Sequence, residues 1–413
     1  MLLDSSLLLV LLLSGGLVAS ANTPLSAPTM VGWGGSHLEE ASDFAESNPA
    51  SLVFVGEQAS NQEMQVQRLA SIGFNTFKVS FESQCTAWKE AGPFSSSNLE
   101  RSFRIAEHYR FWVIVDYHGF NDTATSGTIN CWLGFWNGLI QQFKTRYYRT
   151  VWEPINEPTG FGYNQTAVMT LSTIYQRWIN QTRSLGDTNW IVVQNLCSFR
   201  CDFANQADGY PTVTDPLGKV LISIHPYMSY RFYWSIWDNQ TAEARAYSFY
   251  NIIKNGTLNT GWPVLNTEGG AGGTFNGTQR CPDLVAVGSA GFCRTNFHFI
   301  QTLTGLLDEN PEWRVNWTWW TITARSDTPG SGIYGALDTW GGILRYKVAF
   351  PADVNNDCKV TIVDVAMLAD SYGKRFGEEG YHAVLDITSD GSIDIFDVAL
   401  VANYYDQGCS YRG

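Results

Sequence analysis

Eight short, nearly unbroken apolar runs are spread along the first 350 residues: Met30–Gly34, Asn75–Phe81, Trp112–Tyr117, Val151–Asn156, Trp190–Asn195, Val220–Pro226, Trp262–Glu268 and Trp317–Ile322. A strand with one wet face alternates apolar and polar residues, whereas continuous apolar runs suit parallel strands covered on both faces. Between several of the runs lie stretches of helical period, at Glu63–Ile72, Asn98–Tyr109, Phe135–Tyr148, Ala167–Leu185, Ala242–Lys254 and Asn296–Leu307. This alternation predicts an α/β chain with helical crossovers. Eight such units within about 330 residues fit a (β/α)8 TIM barrel better than an open doubly wound sheet, and no glycine-rich nucleotide loop is present. In such a barrel the C-terminal ends of the strands carry the chemistry, so functional residues are sought there.

Composition narrows the partners. Of 413 residues, 44% are hydrophobic and 16% charged, which supports a large packed core and excludes a disordered or fibrous chain. The formal net charge of −13 repels phosphate backbones and anionic lipid, so nucleic acid and membrane surfaces are not expected as partners. With 16 Trp, 19 Tyr and 23 Phe, the rings exceed what a core needs, and sugars are the neutral ligand that suits exposed rings. The N-terminus reads as a signal peptide over residues 1–21, with an apolar run from Leu7 to Leu13 and an Ala19-Ser20-Ala21 cleavage pattern. Secretion fits the sequons at Asn121, Asn164, Asn180, Asn239, Asn255, Asn276 and Asn316. It also fits eight cysteines without C-x-x-C spacing, which favours disulfides over zinc, with Cys197–Cys201 and Cys281–Cys293 as the expected local pairs.

The fourth run closes on Asn156-Glu157-Pro158, and the seventh ends on Glu268 followed by Gly269 and Gly270. Two carboxylates at the mouth of a barrel supply what glycoside hydrolysis needs: one protonates the leaving oxygen and the other meets the developing oxocarbenium ion. Together with Asp116-Tyr117-His118, His225-Pro226-Tyr227 and Trp317–Trp320, these strand ends resemble glycoside hydrolase family 5, in the family's order, from about Met30 to Val348. The resemblance implies Glu157 as acid/base, Glu268 as nucleophile and Asn156 holding the sugar 2-hydroxyl. It implies His225 and Tyr227 hydrogen-bonding the carboxylates, His118 lining the −1 subsite, and Trp320 as a sugar platform. Where the family carries an arginine near the end of strand 2, this chain has Lys78, a point charge in place of a planar fork. Trp132, Trp136, Trp234 and Trp237 either extend the cleft or pack in the core.

From Pro351 the texture changes. Asp353, Asn355, Asp357 and Asp364 recur 33 residues later as Asp386, Thr388, Asp390 and Asp397, each set leading into an apolar helix, Val365–Tyr372 and Val398–Tyr405. The repeats resemble dockerin-type calcium modules with EF-hand-like loops. That implies metal ligands at Asp353, Asn355, Asp357, Lys359 and Asp364, and at Asp386, Thr388, Asp390, Ser392, Asp394 and Asp397. Cys358 stands at the usual turn glycine and is a candidate partner for Cys409.

The sequence therefore reads as a signal peptide (1–21), a TIM-barrel glycoside hydrolase domain (22–350) and a small all-α dockerin-like module (351–413). The expected activity is a secreted retaining endo-β-1,4-glucanase acting on β-linked polysaccharide, without a catalytic cofactor and with structural Ca2+ in the module. The alternatives are a β-mannanase or another β-glucanase of the same family. From another class, the rivals are a non-catalytic carbohydrate-binding barrel and an assembly component docked to a cohesin-type scaffold.

Overall fold

All eight predicted strands form and lie parallel in one sheet: β1 (Val31–His37), β2 (Thr76–Glu82), β3 (Trp112–His118), β4 (Thr150–Glu153), β5 (Trp190–Gln194), β6 (Val220–Ser223), β7 (Leu265–Asn266) and β10 (Asn316–Trp319). The computed structural model describes residues 30–37, 75–86, 94–196, 209–226, 239–269, 274–275, 279–280, 302–307, 316–319, 359–375, 385–388 and 391–407, with single positions between them. The strand order is β6-β5-β4-β3-β2-β1-β10-β7. A single parallel bridge, Ile222 to Val264, links the two ends, with Ile222 N donating to Pro263 O at 2.9 Å. The ladder is thus not continuous around the barrel at this seam; Pro263 has no N–H to extend it. A short antiparallel hairpin, β8 (Thr274–Phe275) with β9 (Gln279–Arg280), was not expected from sequence.

The helices α1 (Ser96–Tyr109), α2 (Ser126–Phe143), α3 (Gln165–Ser184) and α4 (Asn239–Thr260) follow β2, β3, β4 and β6. Ser95, Thr125 and Asn164 cap the first three by accepting from backbone N–H groups inside the first turn. Helix α2 begins at Ser126 rather than the expected Phe135, because its first turns are polar and announced only by the Thr125 cap. It ends at Phe143, and beyond it Tyr147 hydroxyl donates to Phe111 O at 2.6 Å.

Alternation along the strands sorts the side chains. Phe77, Val79 and Phe81, then Val113, Val115 and Tyr117, point outward and pack against Leu99, Phe103, Trp136 and Trp178 of the helices. Trp112, Ile114, Val151, Trp190, Val192, Leu221 and Leu265 point inward and fill the barrel floor with Met30. Further along the same strands the inward positions turn polar, at Lys78, Asp116, Glu153, Gln194 and Ser223, all fully buried. Many rings are core: Trp132 and Trp136 are fully buried and do not line a cleft, their Nε1 groups donating to Pro154 O at 2.9 and 3.3 Å. Trp234 and Trp237 lie outside the described residues.

In the C-terminal segment, α5 (Ile362–Asp370) and α6 (Ile395–Asn403) each start three residues before the sequence reading placed them. The reason is a capping box at each start, Thr361 with Asp364 and Asp394 with Asp397. Arg375 and Ser392 form an antiparallel bridge between the repeats, and Val360, Leu368, Leu385, Ile393 and Val401 are the core.

A disulfide joins Cys85 to Cys131, a pairing the sequence did not suggest, while Cys197, Cys201, Cys281, Cys293, Cys358 and Cys409 lie outside the described residues. The Asn316 sequon cannot carry a glycan in the folded chain: Asn316 is buried and its Oδ1 accepts from Met30 N at 2.8 Å. Among the described residues, no helix is long and apolar enough to cross a membrane.

Candidate active site

The polar end of the barrel is built around one ammonium. Lys78 points inward from β2, fully buried, with its Nζ 2.8 Å from Glu268 Oε1, 3.0 Å from Glu153 Oε2 and 3.1 Å from Asp116 Oδ2. It also donates to Asn156 Oδ1 at 3.0 Å. Burial alone would strip its charge, but three carboxylates outweigh that and hold its pKa above the ordinary lysine value.

β3 contributes Asp116 and, two residues on along the same inward face, His118. His118 Nδ1 lies 2.5 Å from Asp116 Oδ2, and its Nε2 lies 3.2 Å from Asn156 Nδ2. For Asp116, burial opposes ionisation, yet His118 and Lys78 bring its pKa down to about 2. Burial also disfavours the charged His118, but Asp116 prevails and raises its pKa.

After β4 the chain turns sharply. Asn156 N donates to Tyr117 O at 2.9 Å, and Glu157 sits at φ +43°, a left-handed conformation costly for a side chain this size. That geometry aims Glu157 at the end of β6, where His225 Nδ1 lies 2.6 Å from Glu157 Oε1 and 3.4 Å from Glu268 Oε2. Burial depresses His225 to a pKa of about 3, so its imidazole is neutral. Glu268 follows β7. Burial works against its charge, but the Lys78 ammonium first, with His118 beside it, overcomes that and holds its pKa below the ordinary carboxylate value. At the next residue, a Cβ on Gly269 would lie 2.9 Å from Pro226 Cδ, so glycine permits this close approach. One oxygen of Glu157, one of Glu268 and one nitrogen of His225 lie within 4.8 Å of one another.

Of the eight barrel residues singled out from sequence, the structure brings together Lys78, His118, Asn156, Glu157, His225 and Glu268. Tyr227 and Trp320 lie outside the described residues. Sequence reasoning passed over Asp116 and Glu153 as site residues. Both are charges at inward positions of otherwise apolar strands, a signal present in the sequence.

The sequence matches the cellulase family, glycosyl hydrolase family 5, over residues 39–326. The chain belongs to glycoside hydrolase family 5. It is a glycoside hydrolase, and residues 351–405 form a dockerin type I domain. Similar solved folds include XacCel5A in complex with cellopentaose, at 16% identity and TM-score 0.53, over 76% of this chain and 99% of that one. Another is the endo-beta-1,4-glucanase Xac0029 from Xanthomonas axonopodis pv. citri, at 17% identity and TM-score 0.52, over 78% and 99%. A third is a GH5-4 broad specificity endoglucanase from Clostridum cellulovorans, at 14% identity and TM-score 0.52, over 78% and 94%. At these identities the likeness is one of fold. No protein with a curated description matches the sequence at a significant level.

Within the dockerin domain the described loop residues offer oxygen donors only. Asp386 Oδ2 accepts from Gly391 N at 2.9 Å and from Tyr381 hydroxyl at 2.7 Å. Asp397 reaches back across its loop, accepting from Thr388 N at 2.9 Å and Asp394 N at 2.8 Å. Asp364 does the same in the first repeat, from Val354 N at 2.9 Å and Thr361 N at 2.7 Å. Gly391 takes φ +86°, the turn that glycine permits. Carboxylate, hydroxyl and carbonyl oxygens around such a turn suit a hard cation such as Ca2+. Ser392 stands in the inter-repeat bridge, and the exposed Lys359 side chain lies 3.3 Å from Asp406, which leaves only its carbonyl for a loop ligand. Asp353, Asn355, Asp357 and Asp390 lie outside the described residues.

Proposed function

We propose that this family 5 enzyme is a secreted retaining endo-β-1,4-glucanase working by double displacement on two glutamates. The observation that carries the reading is the approach of the Glu157 and Glu268 carboxyl oxygens, within 4.8 Å in a pocket shared with His225. Retaining enzymes place the two groups about 5–5.5 Å apart, whereas inverting ones need about 6.5–9.5 Å to admit a water between them. The electrostatics support opposite roles: Lys78 keeps Glu268 anionic, and the imidazole against Glu157 Oε1 is neutral, so it adds no charge that would hold Glu157 in its anionic form.

In the first step Glu157 gives its proton to the glycosidic oxygen while a Glu268 oxygen bonds the anomeric carbon, releasing the leaving sugar and inverting that centre. Water then attacks the same carbon and loses a proton to Glu157, and Glu268 departs as carboxylate with the original configuration restored. Asn156, pinned by Lys78 and His118, is assigned to the sugar 2-hydroxyl by family resemblance. Tyr227 and Trp320 are assigned to the carboxylates and to a sugar platform by family resemblance.

The domain limits proposed are 22–350 for the barrel and 351–413 for the module, with residues 1–21 a cleaved leader. The dockerin domain is proposed to hold structural Ca2+ through Asp353, Asn355, Asp357, Lys359 and Asp364 and through Asp386, Thr388, Asp390, Ser392, Asp394 and Asp397, and to dock onto a cohesin-type scaffold. Reducing-end release over a panel of cellulose, β-glucan, xyloglucan and mannan tests the substrate. Glu268→Gly supplied with azide and an activated aryl β-glycoside tests the chemistry: the α-glycosyl azide is expected, and its absence from a folded variant would sink the assignment.

A further inference from the structure

Glu153 is a buried carboxyl group that the double displacement leaves unused, yet it is connected to Glu157. Thr267 Oγ1 donates to Glu153 Oε1 at 2.5 Å. The same Thr267 Oγ1 lies 3.1 Å from His225 Nε2, and His225 Nδ1 lies 2.6 Å from Glu157 Oε1. Every member of this chain is buried. We infer that Glu153 and Glu157 share one proton through Thr267 and His225, which makes Glu153 a positioning residue for the proton of the acid/base.

The balance closes. With Glu157 protonated, its Oε1–H donates to His225 Nδ1, Nε2–H donates to Thr267 Oγ1, and the threonine hydroxyl donates to ionised Glu153. If each proton moves one step inward, Glu153 becomes protonated, the threonine hydroxyl turns to donate to Nε2, and Nδ1–H donates to ionised Glu157. Three protons are present in both arrangements, the imidazole stays neutral throughout, and one negative charge moves between the two carboxyls. The depressed basicity of His225 fits its part as a neutral conduit, and burial pushing Glu153 up to about 7 fits a group able to hold the proton near neutrality.

The surroundings of Glu153 are charged and polar from every side. Lys78 faces it from β2, Asp116 from β3 with His118 against that carboxylate, Glu268 from beyond β7, and the Tyr175 phenol from α3. Gln194 donates Nε2 to Glu153 Oε1 and lies 3.0 Å from Thr267 Oγ1 and 2.9 Å from His225 Nε2, bracing the same atoms. Ser223 Oγ lies 3.1 Å from Thr267 Oγ1. Lys78 is what allows the negative charge to rest on Glu153.

The inference rests on Glu157 being the acid/base, and its test keeps the two apart. When two carboxyls share a proton, the last proton leaves against the charge of its neighbour, and the alkaline limb of kcat/KM reports that step. Neutral Gln at position 153 removes the opposing charge. Glu153→Gln should therefore move the alkaline limb to lower pH by half a unit or more, about a threefold loss of kcat/KM on the alkaline side that recovers on acidification. Thr267→Val should move it the same way, since Glu153 without its hydroxyl donor keeps its proton, and Thr267→Ser should restore the native profile. A dinitrophenyl β-cellobioside, whose leaving group needs no proton, should show little change in any variant, whereas a merely structural defect would lower both substrates together. An unmoved limb in folded Glu153→Gln and Thr267→Val, or equal shifts in Thr267→Val and Thr267→Ser, would overturn the relay. Failure of the underlying reading is seen separately: Glu157→Ala with azide would then yield no β-glycosyl azide.

Discussion

Lys78 shows what one buried side chain can be asked to do. An arginine fork would hold a carboxylate through two parallel bonds; the lysine point charge instead sits among Asp116, Glu153 and Glu268, which fix its position from three sides. Removing the cation leaves three carboxylates buried against one another. Lys78→Met is expected to destabilise the barrel by about 3–5 kcal/mol as well as abolish turnover, and urea unfolding of the variant checks this; an unchanged midpoint would mean the carboxylates had found another counter-charge. Glu153 makes a second prediction. Its pKa rises from 4.5 to about 7 on folding, so between those values the native state holds a proton that the unfolded chain has lost. Stability contributed by this group is present below about pH 4.5 and declines as pH rises toward 7, by on the order of 3 kcal/mol. Relative to wild type, Glu153→Gln should flatten the dependence of unfolding free energy on pH across that window, measured by chemical denaturation at several pH values. Parallel curves would count against a protonated Glu153.

At the level of elements, the end of β2 and the start of the α2 face of the barrel are tied covalently and by hydrogen bonds. Cys85 and Cys131 are 46 residues apart in sequence and bonded. Beside them buried Asp122 accepts from Ser83 and Tyr117, both at 2.5 Å, and from Thr86 at 2.9 Å. Closing a loop of that length removes unfolded-state entropy worth up to about 4 kcal/mol. A Cys85→Ser, Cys131→Ser double variant should unfold at lower denaturant than wild type yet keep kcat, since neither sulfur touches the site; a loss of kcat without loss of stability would instead tie the bond to the loop above Glu82. The pairing was not legible because disulfide partners depend on which loops the barrel brings together. The strands were legible because full burial leaves continuous apolar runs, and their ends were overestimated where the run continues into the site, as at Val151–Asn156 against the observed Thr150–Glu153. The start of α2 was missed because Gly127–Asn130 has no apolar period and only Thr125 marks it. The candidate site was legible where a charge or an imidazole closes an apolar run, as at Glu157, His225 and Glu268. Thr267 and Gln194 gave no such signal, for a hydroxyl or an amide in a strand has many uses and only the fold decides which atoms it meets.

Across the whole molecule the barrel floor and the dockerin domain share one apolar cluster. Trp112, Ile114, Val151 and Trp190 belong to the same buried set as Val360, Leu368, Leu385, Ile393 and Val401, with Tyr148 packed against it. At this junction the Arg149 guanidinium lies over the Trp112 and Tyr148 rings, 5.8 and 5.6 Å from their centres. It also acts electrostatically on Tyr381 and Asp386 of the module. The loop of the second repeat is therefore coupled to the end of the barrel opposite the candidate site, not suspended on a tether. In a module this small the core alone supports only marginal stability, and a metal bound only by the folded state adds its binding free energy to folding. Loop two keeps glycine at its turn, Gly391, where loop one has Cys358, so loop two is expected to bind Ca2+ more tightly. Chelation should lower the unfolding temperature of the module and cost the barrel part of its stability through the shared cluster. It should leave kcat on soluble β-glucan nearly unchanged, because the carboxylates lie beyond the polar layer of the barrel. In the full chain, calorimetric titration with Ca2+ should show a greater loss of affinity for Asp386→Ala than for Asp353→Ala. The reverse order would overturn the ranking of the loops, and a melting profile indifferent to chelator would remove calcium from the account.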